Sequence, residues 1–187
     1  MQRPSAIVGL LLSALTVAGA AQAAQFEAVD LPGGNKGILM TGVIAPGDQA
    51  AFHAVASSLS NAIVLTTGPG GSVFPAIAIG TEIRNLGWST LVPAGASCAS
   101  ACSMIWLAGE RRLLADGGRI GFHAMSIRKD GMVFESHVPD VDLRRWLTQL
   151  GYSDDTTATI VNTPARFVRW LDRLELQNNG IAVESYP

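Results

Sequence analysis

Between residues 37 and 122 the chain alternates short apolar runs with helical stripes, and glycine or proline marks nearly every junction. Residues 37–44 read as a strand, and 48–59 as a helix with Phe52, Val55 and Leu59 on one face. Residues 62–66 form the continuous apolar run of a strand buried on both sides. A helix follows over 72–86, where Val73, Ala76, Ile77, Gly80 and Ile83 recur at helical spacing and Pro75 sits in the tolerant first turn. Strands are expected at 89–92, 112–115 and 119–122, with a small-residue helix over 99–109. Strands and helices that alternate at this pace predict an α/β fold with a largely parallel sheet and crossover helices.

The rhythm breaks after residue 123. Lys129-Asp130-Gly131 predicts a hairpin or flap within 125–138. Two helical stretches follow, one carrying Leu143, Trp146, Leu147 and Leu150, the other over 172–179 and ending at Gly180. No repeat or linker interrupts the chain, which reads as a single domain.

The N-terminus stands apart. Arg3, an apolar run over 6–19 and Ala21-Gln22-Ala23 have the layout of a secretory signal peptide over 1–23, and the run is short for a membrane span. An uncleaved anchor is the alternative. The mature domain would then be 24–187, periplasmic or secreted, with about 164 residues, enough to bury a core. Removal of Arg3 leaves 12 basic residues against 15 acidic ones, a balance that argues against nucleic acid as a partner.

Export changes how the two cysteines read. In an oxidising compartment Cys98 and Cys102 would pair with each other, because the chain has no other cysteine. Four-residue helical spacing puts their Cα atoms about 6 Å apart, within disulfide range. The bridge would clamp the geometry around Ser100; two small buried thiols are the alternative. Two cysteines without a histidine nearby do not suggest a metal, and no cofactor is expected.

Three elements are candidates for chemistry. Gly70-Gly71 joins a buried strand to a helix N-terminus and lies 29 residues before Ser100. There, backbone amides are open to an oxyanion, although an ordinary tight turn would look the same. Ser100, between small residues at a helix start, reads as an activated nucleophile or as a helix cap, with the Ala101 amide as second oxyanion donor. His123, 23 residues later, reads as the general base or as a hydrogen-bonded histidine at a strand end. His53 and His137 are less well placed.

Thr67-Gly68-Pro69-Gly70-Gly71-Ser72-Val73, Gly95-Ala96-Ser97-Cys98-Ala99-Ser100, Gly109-Glu110-Arg111-Arg112 and Gly121-Phe122-His123 occur in order. Together they resemble the Clp protease proteolytic-subunit family, and more closely its exported bacterial relatives with a Cys-Ala-Ser-Ala-Cys element. The resemblance covers 42–123 and returns at 176–183. It implies the spiral of ββα units shared with crotonases, Ser100 as nucleophile, His123 as base, and the Gly71 and Ala101 amides as oxyanion hole. It also implies a peptide or unfolded-protein substrate and allows a homo-oligomer. No nucleotide motif is present, so no ATPase partner is expected. The family's orienting aspartate has no counterpart in 163–170, which instead carries Arg166 and Arg169, two charges that would oppose a protonated histidine. The expectation is therefore an exported serine hydrolase, peptidase-like and ATP-independent. A non-catalytic binding or assembly module is the alternative, and an acyl-thioester enzyme of the crotonase class is a third reading that export disfavours.

Overall fold

The computed structural model describes residues 23–130, 132–136 and 140–187. The expected signal peptide, but for Ala23, lies outside the described residues, as do Gly131, His137 and Val138 of the expected flap and the following Pro139.

The main sheet has six strands. Its central rows are β2 (Lys36–Thr41), β4 (Ile63–Thr66), β6 (Ser89–Val92) and β8 (Arg112–Ala115), all mutually parallel. At one edge β1 (Gln25–Asp30) runs antiparallel to β2 as a hairpin partner. At the other, β13 (Glu184–Tyr186) joins β8 in parallel. Parallel neighbours cannot be joined by tight turns, so the chain crosses between them through helices. The crossovers are α1 (Asp48–Ala56), α2 (Val73–Asn85) and α3 (Ala101–Leu107).

Before each of α2 and α3 the chain makes a second, short strand, and these strands position the site. β3 (Val43–Ile44) pairs with β5 (Gly70–Gly71). β7 (Ser97–Ala99), β9 (Arg119–Phe122) and β12 (Arg169–Leu171) form a three-stranded sheet with β9 in the middle. The expected single strand over 37–44 is therefore two, interrupted at Gly42. The expected helix over 99–109 begins only at Ala101, because Cys98 and Ala99 are taken by pairing with Ile120 and Gly121 of β9.

Every residue of α3 is buried, which explains its lack of a polar face. It shares one hydrophobic core with Ile38, Phe52, Val64, Ile79, Ile83, Trp88, Ile120 and Phe122. Three buried polar groups are bonded to backbone carbonyls: Trp106 Nε1 donates to Leu113 O at 3.0 Å, Thr90 Oγ1 to Trp106 O at 2.7 Å, and Tyr152 Oη to Leu107 O at 2.8 Å. Such bonds offset the desolvation that large amphipathic side chains bring to a core.

Beyond β9 come the hairpin β10 (Ser126–Lys129) and β11 (Met132–Glu135), then α4 (Asp140–Gln149), α5 (Asp154–Val161) and α6 (Arg173–Asn178). Buried Leu143, Trp146 and Leu147 form the inner face of α4, as their spacing predicts. Among the described residues no helix is long and apolar enough to cross a membrane.

Candidate active site

Ser100 occupies the turn between β7 and α3 with φ 58° and ψ −128°, a conformation that L-residues with a side chain rarely adopt. Holding a serine there costs on the order of 1–3 kcal/mol and requires surroundings that over-determine it. The surroundings do so. Ser100 N donates to Gly121 O of β9 at 2.9 Å, and Ser100 O accepts from Ser103 N at 2.9 Å. Buried Ser103 Oγ lies 2.9 Å from Cys98 O and 2.8 Å from Gly121 O, tying the start of α3 to both strands. Cys98 and Cys102 are joined by a disulfide with Cα atoms 5.3 Å apart. The geometry behind it is not the helical spacing expected, because Cys98 belongs to a strand and the bridge spans the strand-to-helix turn.

Although Ser100 is positioned as the cap of α3, its side chain makes no capping hydrogen bond. The alternative reading as a cap serine therefore lacks the bond that defines it. A sharp strand-to-helix turn that exposes a serine hydroxyl is the geometry of a nucleophile elbow.

The glycine segment lies directly against this turn. Gly68 N donates to Ser97 O at 3.0 Å and Ala99 N to Gly68 O at 3.1 Å. A Cβ on Gly70 would fall 2.6 Å from Ala99 O, 2.7 Å from Ser100 Cβ and 2.8 Å from Ala101 N. A Cβ on Gly71 would fall 2.2 Å from Ile44 O. Glycine is required at both positions by close backbone approach as well as by positive φ. Gly71 and Ser72 lead into α2, and Ala101 opens α3. Two helix N-termini thus face one place, where their unsatisfied amides and dipoles favour negative charge.

That place is a cavity of about 330 Å³. Ser100, Ala101, Gly71 and His123 all line it, so the four candidate residues converge on one wall system. Val73, Phe74, Met104, Met125, Ile127 and Leu143 supply an apolar lining, with hydroxyls from Ser72, Ser126 and Ser136. Ser126, Ile127 and Ser136 come from the hairpin and its end, so the described part of the expected flap contributes to the cavity wall. Sequence reasoning placed the flap without assigning these residues to the cavity; its start two residues after His123 was the available signal.

His123 follows β9 and is half-buried. Its Nδ1 lies 2.7 Å from Ala124 O, and among the described residues no hydrogen bond joins it to Ser100 or to a carboxylate. The nearby aspartates are occupied elsewhere: Asp154 and Asp155 sit in the first turn of α5, and Asp172 caps α6 in a reciprocal box with Glu175. The two arginines expected to oppose a protonated His123 do not bond to it. Arg166 stacks over Phe167 at 4.9 Å, and Arg169 is an exposed β12 residue paired opposite Phe122.

No family model matches the chain, and no curated protein matches it. Among solved structures it is similar to the 1510-N membrane-bound stomatin-specific protease. A serine-to-alanine variant of that protein aligns at 19% identity and a TM-score of 0.60, over 79% of this chain and 77% of the other. A lysine-to-alanine variant in complex with a substrate peptide aligns at 20% identity and a TM-score of 0.58, over 79% and 73%. At such identities the likeness concerns the fold. The expected membership of the Clp-protease and crotonase superfamily, with its spiral of ββα units, is corrected by this finding: the architecture is of the stomatin-specific-protease kind. The physical reason lies in what the motifs encode. The glycine segment and Cys-Ala-Ser-Ala-Cys specify one close backbone approach and one strained turn, which are demands of a site. They say nothing about how β1, β12 and β13 complete the sheets around it.

Proposed function

We propose that the chain is a serine hydrolase acting on peptide bonds, and the conformation of Ser100 is the observation that carries this reading. A non-glycine residue held at positive φ, with a hydroxyl that bonds to no partner among the described residues and lies on the wall of an apolar cavity, is strain placed where a reacting atom would sit. In the proposed reaction Ser100 Oγ attacks the acyl carbon and its proton passes to His123. The amide N–H groups of Gly71 and Ala101 donate to the oxyanion that develops. His123 returns the proton to the leaving amine, and water then releases the acyl group by the reverse route. Among the described residues His123 is the one ionisable side chain apart from hydroxyls that lines the cavity, which favours it as the base. The similar proteins are described as a protease, one of them bound to a substrate peptide, and that description agrees with a peptide substrate. The apolar lining suits an uncharged side chain beside the scissile bond. Export to an envelope or extracellular space and independence from ATP complete the reading, on the strength of the N-terminal sequence and the lack of a nucleotide motif.

A second reading, a non-catalytic peptide-binding module, draws on the lack of any carboxylate bonded to His123 among the described residues. A fluorophosphonate probe separates the two. Incubated with residues 24–187 in oxidised form, it should attach covalently at Ser100 and fail to attach to Ser100→Ala. Labelling independent of Ser100, or none, would leave the binding module as the better account.

A further inference from the structure

We infer that the backbone carbonyl of Ala124 does the orienting work that a carboxylate performs in a Ser-His-Asp site, which makes Ala124 a positioning residue for His123. The inference rests on the proposed role of His123 as base. A serine's base needs a ring nitrogen with a free lone pair, so the other nitrogen must carry the proton. His123 Nδ1 lies 2.7 Å from Ala124 O. A carbonyl oxygen only accepts, so this bond exists with Nδ1 as donor, and the neutral ring then leaves Nε2 unprotonated. The required tautomer is thus selected by a neighbour in the chain.

The carbonyl is itself held. On one side Ala124 N donates to Thr163 O at 2.6 Å, and on the other Met125 O accepts from Ser136 N at 2.9 Å. The turn that supplies Thr163 is pinned in its turn: Phe167 N donates to Pro164 O at 2.8 Å, and Ala165 N to Glu135 Oε1 at 3.0 Å. The segment 163–167, in which an aspartate is missing, therefore contributes a backbone clamp on Ala124. A carbonyl differs from a carboxylate in one respect that matters. It fixes the tautomer and the ring plane, but it carries no net charge to offset the imidazolium formed during proton transfer.

The test reads the tautomer directly. In the uniformly 15N-labelled mature domain, two-bond proton–nitrogen correlations are recorded at a pH where the ring is neutral. The His123 signals are assigned by their loss in His123→Gln. The Nδ1–H tautomer is expected, opposite to the preference of free histidine; a dominant Nε2–H tautomer would overturn the inference. A second measurement replaces residue 125 by its α-hydroxy acid, turning the 124–125 amide into an ester and weakening the Ala124 acceptor. Among the described residues Met125 N donates to no backbone acceptor, so little else is lost. The Nε2–H form should then appear, and fluorophosphonate labelling of Ser100 should slow about tenfold. An unchanged tautomer and rate would also overturn the inference. The spectrum is independent of activity. An unreactive Ser100 with the Nδ1–H tautomer would therefore sink the hydrolase reading alone, whereas a reactive Ser100 with the Nε2–H tautomer would sink this inference alone.

Discussion

Substitution of Gly70 by alanine should disable the site while leaving the domain folded, and two glycines with the same φ separate the reasons. Gly70 and Gly47 both have φ 97°, but a Cβ on Gly47 meets nothing within 4 Å. Gly47→Ala therefore measures backbone strain alone, about 1–2 kcal/mol. Gly70→Ala adds collisions at 2.6, 2.7 and 2.8 Å with Ala99 O, Ser100 Cβ and Ala101 N, backbone atoms or atoms next to backbone that have no flexible side chain to yield. Overpacking of this kind costs about 1–3 kcal/mol more. For a domain of this size each kcal/mol lowers Tm by about 2–4 °C, so Gly47→Ala should melt about 5 °C below the parent and Gly70→Ala about 10 °C below. Moving the elbow back to ordinary contact displaces Ser100 by about 0.7 Å, enough to slow probe attachment by about 10–100-fold. Thermal melts by circular dichroism and labelling rates by mass spectrometry read both effects. Equal Tm losses in the two variants, or a parental labelling rate in Gly70→Ala, would refute the claim that Gly70 abuts the turn that carries Ser100.

Further outcomes follow from other parts of the fold. Tyr152 is held up to about 12 by burial, with Arg112 and Arg84 partly opposing the shift, so the folded state keeps a proton that the unfolded chain releases near 10. Stability should thus be undiminished below pH 10 and fall by about 3 kcal/mol between pH 10 and 12, a decline that Tyr152→Phe removes in denaturant titrations. Reduction of Cys98–Cys102, or its replacement by two alanines, should cost about 2 kcal/mol of loop-closure stabilisation, measured by urea unfolding with and without reductant. Ser103→Ala deletes the hydroxyl set between Cys98 O and Gly121 O and should destabilise by about 1–2 kcal/mol, with slower Ser100 labelling because the turn loses its tie to β9.

What could be read from the sequence was governed by element length and by whether the cause of a conformation is local. β6, β8 and β9 have the expected bounds because each is a short stretch with an apolar centre set off by nearby glycine, proline or charged residues, too short for a helix. β5, β12 and β13 were invisible: two glycines or three residues carry no alternation, and tertiary pairing alone makes them strands. α5 was missed because Thr156 and Thr157 face its buried side, so it lacks an apolar stripe. Gly71, Ser100, Ala101 and His123 line one cavity, and each could be picked out in the sequence because it stands at a junction between elements. The hold on His123 could not be, because a backbone carbonyl leaves no mark in a sequence searched for aspartate. The overall architecture was misassigned for a related reason, because motifs that build one turn are shared more widely than any whole fold.

The central claim is that Ser100 reacts and that the Gly71 and Ala101 amides receive the oxyanion. A crystal structure of residues 24–187 after reaction with a fluorophosphonate tests both at once. The account predicts a bond from Ser100 Oγ to phosphorus and a phosphonyl oxygen at about 2.7–3.1 Å from both amide nitrogens. An adduct on another residue, or one at Ser100 whose phosphonyl oxygen points away from both amides into solvent, would contradict it.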